Sequence, residues 1–336
     1  MSKSLSVVIP VYNEAEHLPA TIGALVEAID RSTFDAELIV VDDGSTDETA
    51  SVVAEATAGR LPLRVLRQPN RGRLEARRAG VEASDRNLVL LLDSRVRLGA
   101  DGLAFVAERV ENGEQVWNGH VEVAVERNPY AVFWKLLAEL AWADYFAEPR
   151  TTSFDASNFD RFPKGTTCFL VPRRLLLDAM RAFQSRYAES RNANDDTPVL
   201  RWIAERGPIN ISPQFACVYS PRTRFRAFFR HSFRRGIVFV DGHGRRESRF
   251  YWAAIGFYPA SALLALAAVK RPLVVPAALV AVGVVSGAMA AKLRRSPFEI
   301  FSLAAVAPIY AVGHGAGMWR ALVTLARQRV TATRPT

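Results

Sequence analysis

Cysteine is scarce in this 336-residue chain: Cys168 and Cys217 are the only two, far apart and with no C-x-x-C. That excludes a zinc framework, a dithiol redox motif and a disulfide-stapled secreted domain, and it points to a reducing cytosol. No G-x-x-x-x-G-K-[ST] and no G-x-G-x-x-G occurs, which excludes an ordinary P-loop or Rossmann dinucleotide site. Internal repeats and low-complexity segments are absent, and an apolar content of 49% excludes disorder. Only Lys3 precedes the first strand-like run, and there is no apolar core of signal-peptide length, so residues 1–220 are expected to stay in the cytosol. Acidic residues all but vanish from the last third. Residues 221–336 hold 18 Lys and Arg against 3 Asp and Glu, a net +15, whereas residues 1–220 carry a net −6. Charge of either sign is missing from Phe250–Val269, Pro272–Ala291 and Ile300–Trp319, each 20 residues long and so able to cross ~30 Å of hydrocarbon as a helix.

The expected organisation follows from this charge map: a domain over residues 1–220, a basic interfacial segment over 221–249, and a transmembrane region of about three helices with a basic tail over 250–336. Lys270-Arg271 and Lys292-Leu293-Arg294-Arg295 separate the apolar stretches, which suits span ends better than buried soluble helices. Arg222, Arg224, Arg226, Arg230, Arg234 and Arg235 interleave with Phe225, Phe228, Phe229 and Phe233, the composition of a helix lying on a membrane surface. Nucleic acid is the competing partner for such a run and is set aside, because the run leads directly into the first apolar stretch. Three full spans would put Arg320, Arg327, Arg329 and Arg334 on the outer side, against the positive-inside rule; a re-entrant segment would return them to the cytosol. Tyr130–Phe146 carries Trp134, Leu137, Leu140 and Ala141 at helical spacing and reads as core.

The first 220 residues alternate strand and helix. Leu5–Pro10, Leu38–Val41, Leu63–Leu66 and Leu88–Leu92 are β-rich apolar runs. Between them, Leu18, Ile22, Leu25 and Ile29 recur at helical spacing, Ser45 and Glu48 have the spacing of a capping box opening a helix to about Ala58, and Leu74–Ala83 forms a further helix. The fold class is α/β with a mainly parallel sheet. Ligands of such sheets sit at the carboxyl ends of the strands, here Pro10–Glu14, Asp42–Asp47, Gln68–Arg73 and Asp93–Arg95. Two adjacent carboxylates, Asp42 and Asp43, close an apolar strand at a cost in repulsion and desolvation that a ligand or metal would offset.

The strings Ser6-Val-Val-Ile-Pro-Val-Tyr-Asn-Glu14, Val40-Val-Asp-Asp-Gly-Ser-Thr-Asp47, Asn70-Arg-Gly72 with Ala76-Arg77 and Gly80, and Leu91-Leu-Asp93 resemble the family-2 inverting glycosyltransferases of the GT-A fold. The resemblance covers roughly residues 5–220. It implies a nucleoside-diphosphate sugar donor, with Pro10, Tyr12, Glu14, Asp42 and Asp43 around the nucleoside, Arg71 and Arg77 near the base or diphosphate, and Asp93 and Arg95 at the diphosphate. It also implies a divalent cation, Mg²⁺ or Mn²⁺, held by a D-x-D, of which this chain keeps only Asp93: the run reads Asp93-Ser94-Arg95. Either Asp93 alone holds the ion through waters and the sugar diphosphate, which hard cations permit, or Arg95, which cannot ligate a cation but can bind phosphate oxygens directly, supplants part of its charge. Ser220 stands where many relatives carry a further His ligand. His120 and Glu122, two apart on a probable strand, are possible replacements, though an ordinary exposed strand face is the simpler account.

Inverting transfer to a hydroxyl requires a base, and the resemblance places it in Asn194-Asp195-Asp196-Thr197-Pro198, with Asp196 as base and Asp195 in support. Thr197, Pro198 and Gly207 read as cap, first turn and stop of a helix. Lys164, Gly165 and Thr166 correspond to the loop lining the acceptor, while Val199 and Trp202 depart from the family's Leu and Arg. Relatives that polymerise and export glycans have more spans and a Q-x-x-R-W where this chain reads Arg230–Gly236. The reading is therefore single transfer to a hydroxyl of a lipid-linked acceptor at the cytoplasmic face of the inner, plasma membrane. Alternatives are transfer onto polyprenyl phosphate, which needs no base, and a non-catalytic nucleotide-sugar-binding membrane protein.

Overall fold

The computed structural model describes residues 3–194, 196–246 and 248–332, with residues 329–332 described by backbone alone. Nine strands form one sheet in the order β3-β2-β1-β4-β8-β6-β9-β5, with β7 paired to β9. They are β1 Ser4–Val11, β2 Asp35–Asp42, β3 Leu63–Arg67, β4 Leu88–Leu92, β5 Val96–Leu98, β6 Trp117–Val123, β7 Thr152–Phe154, β8 Cys168–Pro172 and β9 Ile209–Tyr219. The first four run parallel, with Val11 opposite Asp42 and Asp42 opposite Arg67, so the motif-bearing strand ends line up along one edge. Beyond β4 the sheet is mixed: β8 is antiparallel to β4 and β6, and β9 is parallel to β6 but antiparallel to β5 and β7. The expected parallel order thus holds for the first half only. Past β4 the next neighbour in the sheet is β8, which enters from the opposite end with Cys168 beside Leu92, and the parallel run stops there.

Alternating side chains of the central strands supply two cores. Leu5, Val7, Ile9, Leu38 and Val40 meet α1 (Leu18–Asp30), α2 (Thr49–Thr57) and α4 (Gly102–Glu111). Val8, Ile39, Val41 and Leu91 meet α3 (Arg73–Ala83), α7 (Arg173–Ala182) and α8 (Asp196–Ala204). Both faces are covered, which is why these strands read as continuous apolar runs and not as an alternation. The capping box does not form: α2 begins at Thr49, and the Ser45 hydroxyl instead accepts the Asn13 N–H at 3.0 Å.

From β9 the chain enters α9 (Phe225–His243), then α10 (Tyr251–Lys270), α11 (Val274–Lys292) and α12 (Pro297–Ala332). Three of these helices, α10, α11 and the Pro297–Gln328 part of α12, are long and apolar enough to cross a membrane. Trp252, Leu263, Leu266, Val269, Val280 and Val284 on them are exposed, as lipid-facing residues would be. α12 has 36 residues, about 54 Å of helix, so its length exceeds the hydrocarbon core and part of it packs on protein. That part rests on α9 and on α5 (Pro129–Ala141). Crossing α9 requires glycine: a methyl placed on Gly236 collides with the His314 carbonyl oxygen, and one on Gly317 with that of Phe233. Trp134 of α5 meets Phe228, His231 and Tyr310 at 5.3–5.7 Å, with the Arg235 guanidinium 5.0 Å over its ring, and Lys135 pairs with Glu299 at 3.0 Å. The Tyr130–Phe146 stripe is therefore the seat for α9 and α12.

Candidate active site

The loops after β1 and β2 brace one another. Asn13 Oδ1 accepts the Thr46 N–H at 2.8 Å, and the Thr49 hydroxyl accepts the Glu14 N–H at 2.9 Å. Here the Asp42-Asp43 pair divides its work. Asp43 accepts from the Gln68 side-chain amide and from the Arg71 and Gly72 N–H groups at 2.7–2.8 Å, so it shapes the loop after β3. Gly72 has a φ of +93° and lies against the Arg191 backbone, which leaves no room for a side chain. Asp42 accepts one bond, from the Ser45 N–H at 2.7 Å. Its Oδ2 is buried without a hydrogen bond among the described residues, and the Arg67 guanidinium is 3.6 Å away. A buried carboxylate oxygen left in this state is costly unless a donor group arrives from a ligand. Pro10 is buried in β1, Tyr12 is half exposed beside these loops, and the Arg71 side chain is exposed.

A second group joins β4 to α8. Arg77, 1% exposed, donates to Asp93 Oδ1 at 2.7 Å and to Asp196 Oδ1 at 3.0 Å, and lies 3.4 Å from the Thr166 carbonyl oxygen. Asp196 also accepts from the Thr166 hydroxyl and sits 3.5 Å from the Arg73 guanidinium. Burial acts to raise its carboxyl, but Arg73, Arg77 and the Thr166 hydrogen bond outweigh burial and hold it well below the usual carboxylate range. Asp195 lies outside the described residues. The loop before β8 is closed on itself: the Lys164 ammonium donates to the Phe159 and Phe162 carbonyls and stacks over Phe159 and Trp142, and burial lowers its pKa to about 8. Gly165 donates its N–H to Asn118 Oδ1 at 3.1 Å.

A third contact ties the run after β1 to the run after β4. Arg95 Nε sits 2.8 and 3.0 Å from the Glu14 carboxylate oxygens, and Arg222 is 3.9 Å from the same group. Asp241 of α9 is an unforeseen residue: it accepts from Ser185, Arg186 and Asn194, and so fixes the approach to Asp196. Arginines gather around His231 of α9. Burial, followed by the charges of Arg222, Arg235, Arg73 and Arg234, pushes the His231 imidazole well below its usual range, so it adds no charge to the four arginines around it.

A divalent cation held as the resemblance implies does not suit these donors. Asp93 is the single carboxylate of the run, its Oδ1 already faces Arg77, and Arg95 takes the third place. Among the described residues no three His, Cys, Asp or Glu side chains cluster as a ligand set. The exposed strand face expected for this pair holds for Glu122 alone: His120 is buried and bonded to the Tyr145 hydroxyl at 2.9 Å, with Glu122 4.0 Å away.

Comparison with known proteins bears on the family and the fold. The family described as Glycosyl transferase family 2 matches residues 6–134. Undecaprenyl-phosphate 4-deoxy-4-formamido-L-arabinose transferases of Aeromonas hydrophila and Serratia proteamaculans are 34% and 35% identical over 116 residues, 34% of this chain and 36% of theirs. The chain thus matches about a third of the length of those curated relatives. The crystal structure of S. aureus TarS in complex with UDP-GlcNAc superposes with a TM-score of 0.51 at 18% identity, covering 93% of this chain and 92% of that one, a likeness of fold. Residues 6–134 thus match the Glycosyl transferase family 2 model, the fold is like that of TarS, and three helices of membrane-spanning length follow.

Proposed function

We propose that the protein is an inverting glycosyltransferase of the inner membrane, multi-pass and with its catalytic domain in the cytoplasm, which moves one sugar from a nucleoside-diphosphate sugar to a lipid-linked acceptor. The observation that carries this reading is that Arg77 joins Asp93, at the end of β4, to Asp196, at the start of α8, while Asp42 closes β2 with an unbonded, buried oxygen. Asp42 offers its unbonded oxygen to the nucleoside, with Pro10, Tyr12 and Arg71 alongside. Asp93 and Arg95 face the diphosphate, and Asp196 with Thr166 faces the acceptor.

In the transfer, an acceptor oxygen attacks the anomeric carbon as its bond to the diphosphate oxygen breaks, and the nucleoside diphosphate departs. With a hydroxyl acceptor the proton passes to Asp196, whose ionised state is secured by Arg73 and Arg77. A second reading has a lipid phosphate as acceptor, which needs a cationic seat and no base. The arginines around His231 and the names of the curated relatives support that reading. Asp196→Asn separates the two. For a hydroxyl acceptor, turnover should fall about 10²–10⁴-fold with donor affinity unchanged, whereas for a phosphate most activity should remain. An Asp196→Asn variant that lost donor binding as well would refute an acceptor-side role for this residue.

A further inference from the structure

We propose that the donor diphosphate is bound by the Arg95 guanidinium in place of a divalent cation, so that donor binding does not depend on metal. The inference rests on the donor reading given above. Replacing the second carboxylate of a D-x-D by arginine changes the charge of the site by two units, which equals the charge of the ion that the pair would have held. A cation brought to Asp93 would meet the guanidinium already on its Oδ1, at 2.7 Å, and the Arg95 guanidinium two residues along.

Arg95 is also held ready for phosphate. Its side chain is 18% exposed, and Glu14 binds the Nε edge, which sets the plane of the fork. The terminal nitrogens, which bind phosphate oxygens in pairs, have no hydrogen-bond partner among the described residues. The backbone beneath is pinned from both sides. The Thr21 hydroxyl donates to the Ser94 carbonyl at 2.8 Å, the Ser220 N–H donates to the Arg95 carbonyl at 2.9 Å, and the Asp93 N–H donates to the Thr167 carbonyl at 2.9 Å. Ser220, in the run where many relatives carry a His ligand, thus serves the Arg95 turn through its backbone. Arg222 next to it, 3.9 Å from Glu14, keeps a second positive charge within reach.

The test is calorimetric titration of the full chain in detergent with UDP, GDP and dTDP, once in excess EDTA and once with saturating Mn²⁺. The expected result is that the nucleotide which binds does so with affinities within about threefold in the two conditions. Arg95→Asp restores a D-x-D and should lose at least about tenfold in EDTA, with Mn²⁺ recovering the loss. Should that variant fail to fold, Arg95→Lys keeps the charge without the fork and should weaken binding about equally with and without Mn²⁺. Wild-type binding that needs Mn²⁺ would overturn the inference and leave the donor reading standing. No binding of any of the nucleotides in either condition would overturn both.

Discussion

Arg77→Met removes the guanidinium that joins Asp93 to Asp196 while nearly keeping the length of the side chain. Two charge-assisted bonds are lost, at 2.7 Å to Asp93 and 3.0 Å to Asp196, each worth about 1.5–3 kcal/mol. The carboxylates are 20% and 32% exposed, so water partly replaces the lost partner and the lower part of that range applies, giving about 3 kcal/mol in total. Breaking a buried ion pair from one side costs about 3–5 kcal/mol, which agrees. For a unit of this size, roughly 2–4 °C per kcal/mol converts the loss into a fall in Tm of about 6–12 °C in detergent. The sign of the pH dependence also follows. The Asp196 carboxyl is lowered from its ordinary 3.8, so its contribution is fully present above that value and disappears only as pH falls through the lower, folded-state value. The gap in Tm between wild type and variant should therefore be constant from about pH 5 to 8 and shrink only in stronger acid. Arg77→Lys should recover less than half, because one ammonium cannot reach both carboxylates. A fall in Tm under about 2 °C, or a gap that changes between pH 5 and 8, would refute the assignment of Arg77 as the buried bridge.

Two further outcomes are expected. Asp42→Ala should raise the donor Kd at least about tenfold in calorimetry, the loss of a hydrogen bond to a carboxylate, and unchanged affinity would remove Asp42 from the nucleoside site. Membranes washed in high salt should retain the protein, since salt screens the arginines of α9 but leaves the burial of α10–α12 in hydrocarbon intact; release by salt alone would make these helices soluble core.

Much of this site could be read before any coordinates. The runs Leu5–Pro10 and Leu38–Val41 announce parallel central strands because both faces of each are buried, and the chemistry of such sheets gathers where the strands end. The paired carboxylates 42 and 43 stand out for the same reason, although their division of labour does not, since it depends on which backbone N–H groups the loop after β3 turns toward Asp43. Contacts between distant residues were beyond reach. Arg77 and Asp196 are 119 positions apart, and Glu14 and Arg95 are 81 apart, separations at which no periodicity carries information. An arginine where a family motif has aspartate was the one available sign of the second pair. Ser45 misled for a physical reason: its spacing from Glu48 fits a cap, but the Asn13 N–H competes for the same hydroxyl and wins. The tail offers less, because Arg334 lies outside the described residues.

Where Gly236 and Gly317 bring α9 and α12 into backbone contact, two helices are locked that a loose tether would let slide. Asp241 then fastens the far end of α9 to the residues just ahead of α8. A catalytic domain on a flexible leash sweeps a hemisphere of positions above a bilayer and can reach acceptors of many lengths. This one stands on a post. The glycine crossing fixes α9 against α12 and Asp241 fixes α9 against the residues before α8, so the sheet domain is held in one orientation to the helices of membrane-spanning length.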